Sequence, residues 1–360
     1  SGRDMIDNWE VKTGLRSEVT YPHVAGGNHG ALNVDDIIDI TSLVDTEGRI
    51  DMSRLSNVKE GEYRIVRIGY IPTGGHTKHG RSRVMWKGEE LYAKTWLEAD
   101  VMNARAAELH YENYFKAIYD SLSAINCAPQ GFHMDSHEAG IANWTAEMPV
   151  HFKRITGYDI KPWLLALCGY IVGNREMTES FLRDFRRVID ETISEQFYGT
   201  FARLCKNDGV TFTCQAMLGC VNDNIASRGR SDKPQGEFWG YQVNGNYDCL
   251  DCTSAAHLYG RRISSAEAFT DSPYFVDEKD ASTEKCIEGW HRLLRIANLA
   301  YCKGVNEFVV CAGSYQPRLN DKYDDSRSNH PYIFHRLNPA WPLSRVHFWA
   351  AALICGRCVL

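Results

Sequence analysis

The chain has 360 residues, 44% of them apolar and 24% charged, and a formal net charge of −6. This is the composition of a globular protein with ample material for a core, and an acidic balance without a basic run argues against nucleic acid as a partner. No apolar run reaches the roughly 18 residues of a membrane-spanning helix and no signal-peptide core opens the chain, so no membrane partner is expected.

Ser1-Gly2-Arg3 reads as a start inside a longer chain, and the apolar run Phe348–Ile354 breaks off within a helix-like pattern, so a fragment is expected. The 12 cysteines do not form a disulfide scaffold; Cys168, Cys205, Cys214 and Cys311 sit in apolar stretches. Free thiols of that kind suit a reducing compartment, and a cytoplasmic location is expected. Cys249/Cys252 and Cys355/Cys358 have C-x-x-C spacing, but the pairs lie about a hundred residues apart with no zinc-knuckle context, so they read as buried thiols.

Residues 1–60 are polar and turn-rich, with Gly26-Gly27 and Gly30 around His23, Asn28 and His29. Val34–Val44 alternates enough to predict a strand ending at Asp45-Thr46-Glu47-Gly48, and Glu62–Ile71 predicts a second. Thr73–Gly80 is glycine-rich like a phosphate loop, yet it lacks the Gly-Lys-Ser/Thr ending and no apolar helix follows it directly. It reads as a flexible loop.

From Asp100 to Ser123 the apolar positions Ala104, Ala107, Tyr111, Tyr114, Ile118 and Leu122 recur at helical spacing. An apolar run carrying Phe132 and Met134 then predicts a strand that ends abruptly in Asp135, His137 and Glu138, before a helix opened by Pro149. Glu179–Asn207 gives the clearest helix, with Phe181, Phe185, Val188, Ile189, Ile193, Phe197, Phe201 and Leu204 on one face and Asp208-Gly209 as its stop. Val210–Ala216 predicts a strand, and residues 219–255, rich in Gly, Asn, Asp and Ser, predict a long functional loop carrying Gly236-Glu237-Phe238-Trp239. Arg262–Glu267 is the next strand. Thr283–Tyr301 is a helix with Cys286, Trp290, Leu293, Leu294, Ala297 and Tyr301 inward, and Gly304–Cys311 is the strand after it.

Strand and helix thus alternate from 131 to 311, the signature of a parallel sheet or a (β/α) barrel. The expected fold class is α/β: a TIM-like and incomplete (β/α) barrel over residues 91–360, preceded by a β-rich segment over 1–90. On that plan Glu138, Gln215, Glu267 and Gly313-Ser314-Tyr315-Gln316 fall at C-terminal strand ends and share one face, where barrels keep their chemistry.

Three acids beside aromatics, Glu138, Glu237 and Glu267, point to sugar chemistry. Hydrolysis of a glycosidic bond needs one carboxyl group to protonate the leaving oxygen and another to activate water or attack the sugar, and Glu138 and Glu267 fit that pair. The plainer reading of Glu138 is a surface acid, disfavoured by Asp135, His137 and Trp144 beside it. Glu267 has apolar company, and a buried carboxylate has to be paired or functional. Phe238 and Trp239 beside Glu237 serve either to stack on a sugar ring or to anchor a loop. A hard cation such as calcium suits Glu237, Asp135 or loop carbonyls, although no EF-hand pattern exists. His257, Tyr315 and His335 add polar groups expected near strand mouths, although histidines in such places are more often hydrogen-bonded structural residues. Trp341 either lines a subsite or fills the core.

At these residues the chain resembles the catalytic domain of bacterial α-L-rhamnosidases of glycoside hydrolase family 106. The matching pieces are Asp135-Ser136-His137-Glu138 with Trp144, His151–Asp159, Phe181–Arg186, Gly236-Glu237-Phe238-Trp239, Ala256–Gly260, Ala266–Thr270 and Gly304–Phe308. Together they cover about residues 60–345. The resemblance implies an inverting hydrolase on a barrel-like domain, acting on a carbohydrate, with Glu138 as acid, Glu267 as base and Glu237 beside a calcium ion; the assignment of the base between Glu237 and Glu267 stays open. His137 stands where an aromatic is expected, and Pro317-Arg318-Leu319-Asn320 departs from the family's loop. The competing expectation is a carbohydrate-binding relative that keeps an aromatic cleft without turnover.

Overall fold

The computed structural model describes residues 3–15, 26–54, 63–74, 84–86, 89–91, 98–137, 139–216, 224–239, 247–270 and 290–310. Its contacts divide the chain into two compact units, residues 1–109, 137–197 and 218–223 in one and 110–136, 198–217 and 224–360 in the other. In chain order the helices are α1 (Trp9–Lys12), α2 (Ala104–His110), α3 (Ala117–Ser123), α4 (Met148–Thr156), α5 (Arg175–Ile193), α6 (Gly199–Asn207), α7 (Asn224–Gly229), α8 (Tyr247–Leu258) and α9 (Trp290–Cys302). The strands are β1 (Val84–Trp86), β2 (Glu89–Leu91), β3 (Gly131–Met134), β4 (Thr211–Cys214), β5 (Lys233–Trp239), β6 (Ser265–Thr270) and β7 (Glu307–Val310).

The first unit is built on α5. Asn174 caps that helix by accepting from the Met177 N–H at 2.8 Å, which starts it a turn earlier than the apolar spacing from Glu179 suggests. Its buried face (Phe181, Leu182, Phe185, Val188, Ile189) meets Phe152 of α4 and Trp163 in one aromatic cluster. The N-terminal segment is pinned to this unit by Lys12–Glu179 at 2.6 Å and by the Ile6 N–H donating to the Gly169 carbonyl.

The expected β-rich N-terminal segment is not confirmed. Val34–Asp36 and Thr41–Leu43 are 3₁₀ turns, because Asn33 and Asp39 accept from the backbone two residues on and curl the chain away from a strand. Residues 63–74 join no strand among the described residues. Only the antiparallel pair β1–β2 is sheet in that stretch, again among the described residues.

The second unit carries a five-stranded parallel sheet in the order β3-β4-β5-β6-β7. Sequential order without reversal is that of an arc of a (β/α) barrel, not of a doubly wound sheet. Four of these strands lie where the apolar runs predict them. The fifth, β5, corrects the expected loop: residues 224–229, 233–239 and 247–258 form helix, strand and helix instead. Pro234 and Gly236 hide the strand, since neither favours β structure. Pro234 is tolerated as the second residue of β5, where its missing N–H costs little. Gly236 is required, because a Cβ there would stand 2.7 Å from the Asp248 carbonyl oxygen. Helix α8 escapes periodicity because it buries the small residues Cys249, Cys252, Ala255 and Ala256.

Alternation then divides the sheet into two faces. Phe132, Phe212, Cys214, Phe238, Ala266, Ala268 and Phe308 point one way, into packing with Ile296, Ala297 and Ala300 of α9 and with an aromatic cluster of Tyr111, Phe115 and Phe201. A π turn over Tyr111–Lys116 adds a residue to that helix and rotates the turns beyond it. Phe115 therefore enters the cluster, 4.9 Å from Phe132, while the expected inward residues Tyr114 and Ile118 are exposed. A second π turn, Ser194–Tyr198, has the same effect, burying Tyr198 and Cys205 where Phe197 and Leu204 were expected.

Candidate active site

The other face of the sheet is polar: His133 on β3, Thr213 on β4 with Gln215 just beyond it, Lys233, Gln235 and Glu237 on β5, Ser265 and Glu267 on β6, and Glu307 on β7. Residues two apart on a strand share a face, and register aligns them across strands, Gln235 opposite Ser265 and Glu237 opposite Glu267. Parallel sheets are ordinarily apolar on both faces, so nine polar or charged residues in one patch require a reason beyond packing.

The patch has two ends. Toward the N-terminal ends of the strands, Lys233 Nζ bridges to Glu307 at 2.8 Å. Toward the C-terminal ends, Gln215 Nε2 donates to Glu267 Oε2 at 2.6 Å, and His133 Nδ1 lies 2.9 Å from Thr213 Oγ1. Loss of water around its ring pushes His133 below the usual histidine value, and the Asp135 and Glu267 carboxylates pull it back up without reversing the shift. Two buried atoms here, Gln215 Oε1 and Ser265 Oγ, have no hydrogen-bond partner among the described residues. Each offers itself to a water, a cation or a sugar hydroxyl.

A buried network holds the strand ends. Arg228 of α7 is wholly buried; its Nε donates to the Gln215 carbonyl at 2.8 Å and its guanidinium pairs with Asp248 of α8. Asp248 Oδ2 in turn accepts from the Glu237 N–H at 2.6 Å. Nothing in the sequence around Arg228, Asp248 or His133 singles them out.

Of the residues expected from sequence, Glu237 and Glu267 come together, and Gln215 joins them. Glu237 sits on a strand, not the loop expected for it. Asp135 lies exposed just past β3, its Oδ1 accepting from the Ser136 N–H. Trp239 closes β5 at a register shift. His257 does not reach a strand mouth: α8 runs back from the end of β5 toward the start of β6, so its last turn lies at the opposite end of the strands, and His257 is exposed there. His137 and Trp144 belong to the first unit. There His137 Nε2 lies 3.0 Å from Glu98, and the Trp144 ring is 6.5 Å from Tyr70 and 6.4 Å from Phe185. Glu138, Tyr315, His335 and Trp341 lie outside the described residues. Cys249 and Cys252 are buried thiols in the core under the sheet, as read from their surroundings in the sequence.

The family model of α-L-rhamnosidases, glycoside hydrolase family 106, matches residues 1–348. The chain belongs to this family. A Formosa agariphila protein provisionally named a β-glucuronidase is 29% identical over 323 residues, which span 87% of this chain and 25% of that protein. A rhamnosidase structure from Novosphingobium sp. PP1Y superposes with a TM-score of 0.72 at 24% identity, covering 99% of this chain and 34% of the other. The chain therefore spans a quarter to a third of the length of these relatives. Membership bears out the resemblance carried by motifs such as Gly236-Glu237-Phe238-Trp239, and the structural likeness bears out the barrel-type α/β fold.

The family resemblance implies calcium, and the residues fit a hard cation. Glu237 and Glu267 stand in register on adjacent strands, and the Gln215 amide that donates to Glu267 keeps its oxygen without a hydrogen-bond partner among the described residues. Among the described residues no group of three or more His, Cys, Asp or Glu side chains is placed to hold a metal ion, so a cation here would rest on the two carboxylates and the Gln215 amide oxygen.

Proposed function

We propose that this chain supplies the catalytic carboxylates of a glycoside hydrolase that cleaves terminal α-L-rhamnosides with inversion. The observation that carries the proposal is the in-register pair Glu237 and Glu267 at the C-terminal end of a polar sheet face, in a chain of the α-L-rhamnosidase family. Glu267 is the base, its carboxylate oriented by the Gln215 side chain, whose Nε2 donates to Oε2 at 2.6 Å. Glu138 is the acid that protonates the leaving oxygen. Glu237 holds calcium, which when bound supplies positive charge for sugar hydroxyls. Asp135, Trp239, Tyr315 and His335 contact the sugar, and the barrel is built by the chain from about residue 91 onward.

Spacing favours this division of labour. Neighbouring strands lie about 4.8 Å apart, whereas an inverting pair needs its carboxyl groups about 6.5–9.5 Å apart to admit a water. Backbones that close leave little room for a water between Glu237 and Glu267, which favours an acid from elsewhere in the chain, and Glu138 is the one that the family resemblance implies. The same closeness supports a second reading, in which Glu237 and Glu267 act as the pair of a retaining hydrolase, whose carboxyls stand about 5–5.5 Å apart.

The test is hydrolysis of an aryl α-L-rhamnoside, with an aryl β-D-glucuronide as the competing substrate, followed by NMR. Inversion releases β-L-rhamnose first, and Glu138→Gln and Glu267→Gln each remove most of the turnover. Release of α-L-rhamnose first transfers the roles to Glu237 and Glu267. Near-normal turnover in both variants rejects the proposal.

A further inference from the structure

We infer that Arg228 and Asp248 are positioning residues for this site, acting through the Gln215 and Glu237 strand ends; the inference rests on the rhamnosidase reading above. Arg228 leads the fully buried side chains in size and carries a charge into the interior. A buried ion pair is seldom retained for stability alone, since well-packed apolar residues serve as well or better. What this pair does is tie two strands. One arm of the guanidinium reaches the backbone carbonyl of Gln215, and the other reaches Asp248, whose second oxygen holds the backbone N–H of Glu237.

Both tied residues are held from their other sides too. Ala216, directly after Gln215, is buried with φ +71, a conformation that costs a residue with a Cβ and persists only where its surroundings impose it. Gly236, directly before Glu237, lies so close to the Asp248 backbone that no side chain fits. With the backbone fixed at 215, the Gln215 side chain is delivered to Glu267 at 2.6 Å. Arg228 thus sits two hydrogen bonds from the proposed base and touches no reacting atom.

Lysine separates charge from positioning. Arg228→Lys keeps a cation opposite Asp248 but loses the rigid fork that reaches Gln215 at the same time. In the intact protein acting on an aryl α-L-rhamnoside, this variant should lower kcat at least about tenfold with KM within about threefold, the pattern of lost orientation and not of lost substrate binding. The fall should shrink in a Gln215→Ala background, because the side chain through which Arg228 acts is then gone. Asp248→Asn, which keeps an acceptor for the Glu237 N–H, should retain more kcat than Asp248→Ala. An equal fall from Arg228→Lys in both backgrounds, or a rise in KM with kcat unchanged, overturns the inference.

Hydrogen–deuterium exchange reads the same network without turnover. Segments 213–216 and 235–238 should exchange faster in Arg228→Lys and Asp248→Ala, with α5 unaffected. Unchanged exchange in those segments overturns the inference even in an active enzyme. Absence of rhamnoside hydrolysis by the unmodified protein, with exchange altered as expected, rejects instead the reading on which the reaction rests.

Discussion

Gly236→Ala probes the closest packing near the carboxylate pair. The new Cβ would stand 2.7 Å from the Asp248 carbonyl oxygen and 3.0 Å from its Oδ2. Neither is the far end of a flexible side chain: one is helix backbone, and the other belongs to a carboxylate fixed at Oδ1 by Arg228 and at Oδ2 by the Glu237 N–H. The carbonyl has to retreat about 0.3 Å to reach the shortest contact real Cβ atoms show, 3.0 Å, and about 0.7 Å for ordinary contact at 3.4 Å. Overpacking of that kind in a filled interior costs about 1–3 kcal/mol. Urea unfolding followed by far-UV circular dichroism measures it, with Gly69→Ala as the comparison, since a Cβ at Gly69 meets nothing within 4 Å. Gly69→Ala should change stability by no more than about 0.5 kcal/mol. A Gly236→Ala protein as stable as its parent, or a loss as large at Gly69, refutes the close approach of α8 to β5.

The π turn over Tyr111–Lys116 makes a second prediction: Phe115→Ala should cost about 3 kcal/mol as the truncation of an aromatic packed on Phe132, and Tyr114→Ala less than about 1 kcal/mol as an exposed one. Reversal of that order in urea melts would return the helix to its expected register. At the surface, hydrogen bonds from Thr41 and then from Lys161 lower the Asp39 carboxyl from 3.8 to about 2. The folded state favours the carboxylate, so its contribution is present above about pH 4 and is lost as pH falls toward about 2. Asp39→Asn should therefore destabilise by at most about 1 kcal/mol at pH 7, as exposed pairs do, with the difference from the parent fading as pH falls through about 2; a difference that grows on acidification contradicts the assignment. Burial pushes the Cys205, Cys214 and Cys249 thiols up to about 12, whereas Cys127 and Cys302 are exposed. Iodoacetamide at pH 8 with peptide mapping should label the last two in the native protein and the first three only after unfolding. Native labelling of Cys249 would mean that its environment is open.

Much of the fold is legible in the sequence because parallel strands under helices need apolar runs. Phe132 and Met134, Phe212 and Cys214, Ala266 and Ala268, and Phe308 announce their strands by what they bury. The misses share one cause, local backbone chemistry overriding periodicity. Asx turns at Asn33 and Asp39 replace an alternating strand, π turns at Tyr111–Lys116 and Ser194–Tyr198 rotate helix faces, and Pro234 with Gly236 disguises β5.

The site was legible to a different degree. Glu267 stands out because an acid between Ala266 and Ala268 has no place in an apolar strand unless one face of the sheet is polar. Glu237 stands out through its aromatic neighbours, even with its strand unrecognised. Arg228 and Asp248 could not be found in that way, since a charged residue in a short polar stretch reads as solvated surface, and only the fold shows the guanidinium wholly buried. That difference comes from the task of each pair. On the proposed function, Glu237 and Glu267 meet a ligand and are set among the side chains that touch it, so their neighbours in sequence carry the trace. Residues that hold a backbone in place through a carbonyl and an N–H answer to partners remote in sequence, Gln215 and Glu237, and leave no local pattern. A search for further positioning groups in this sheet therefore begins from backbone atoms at the strand ends and asks which buried side chain satisfies each.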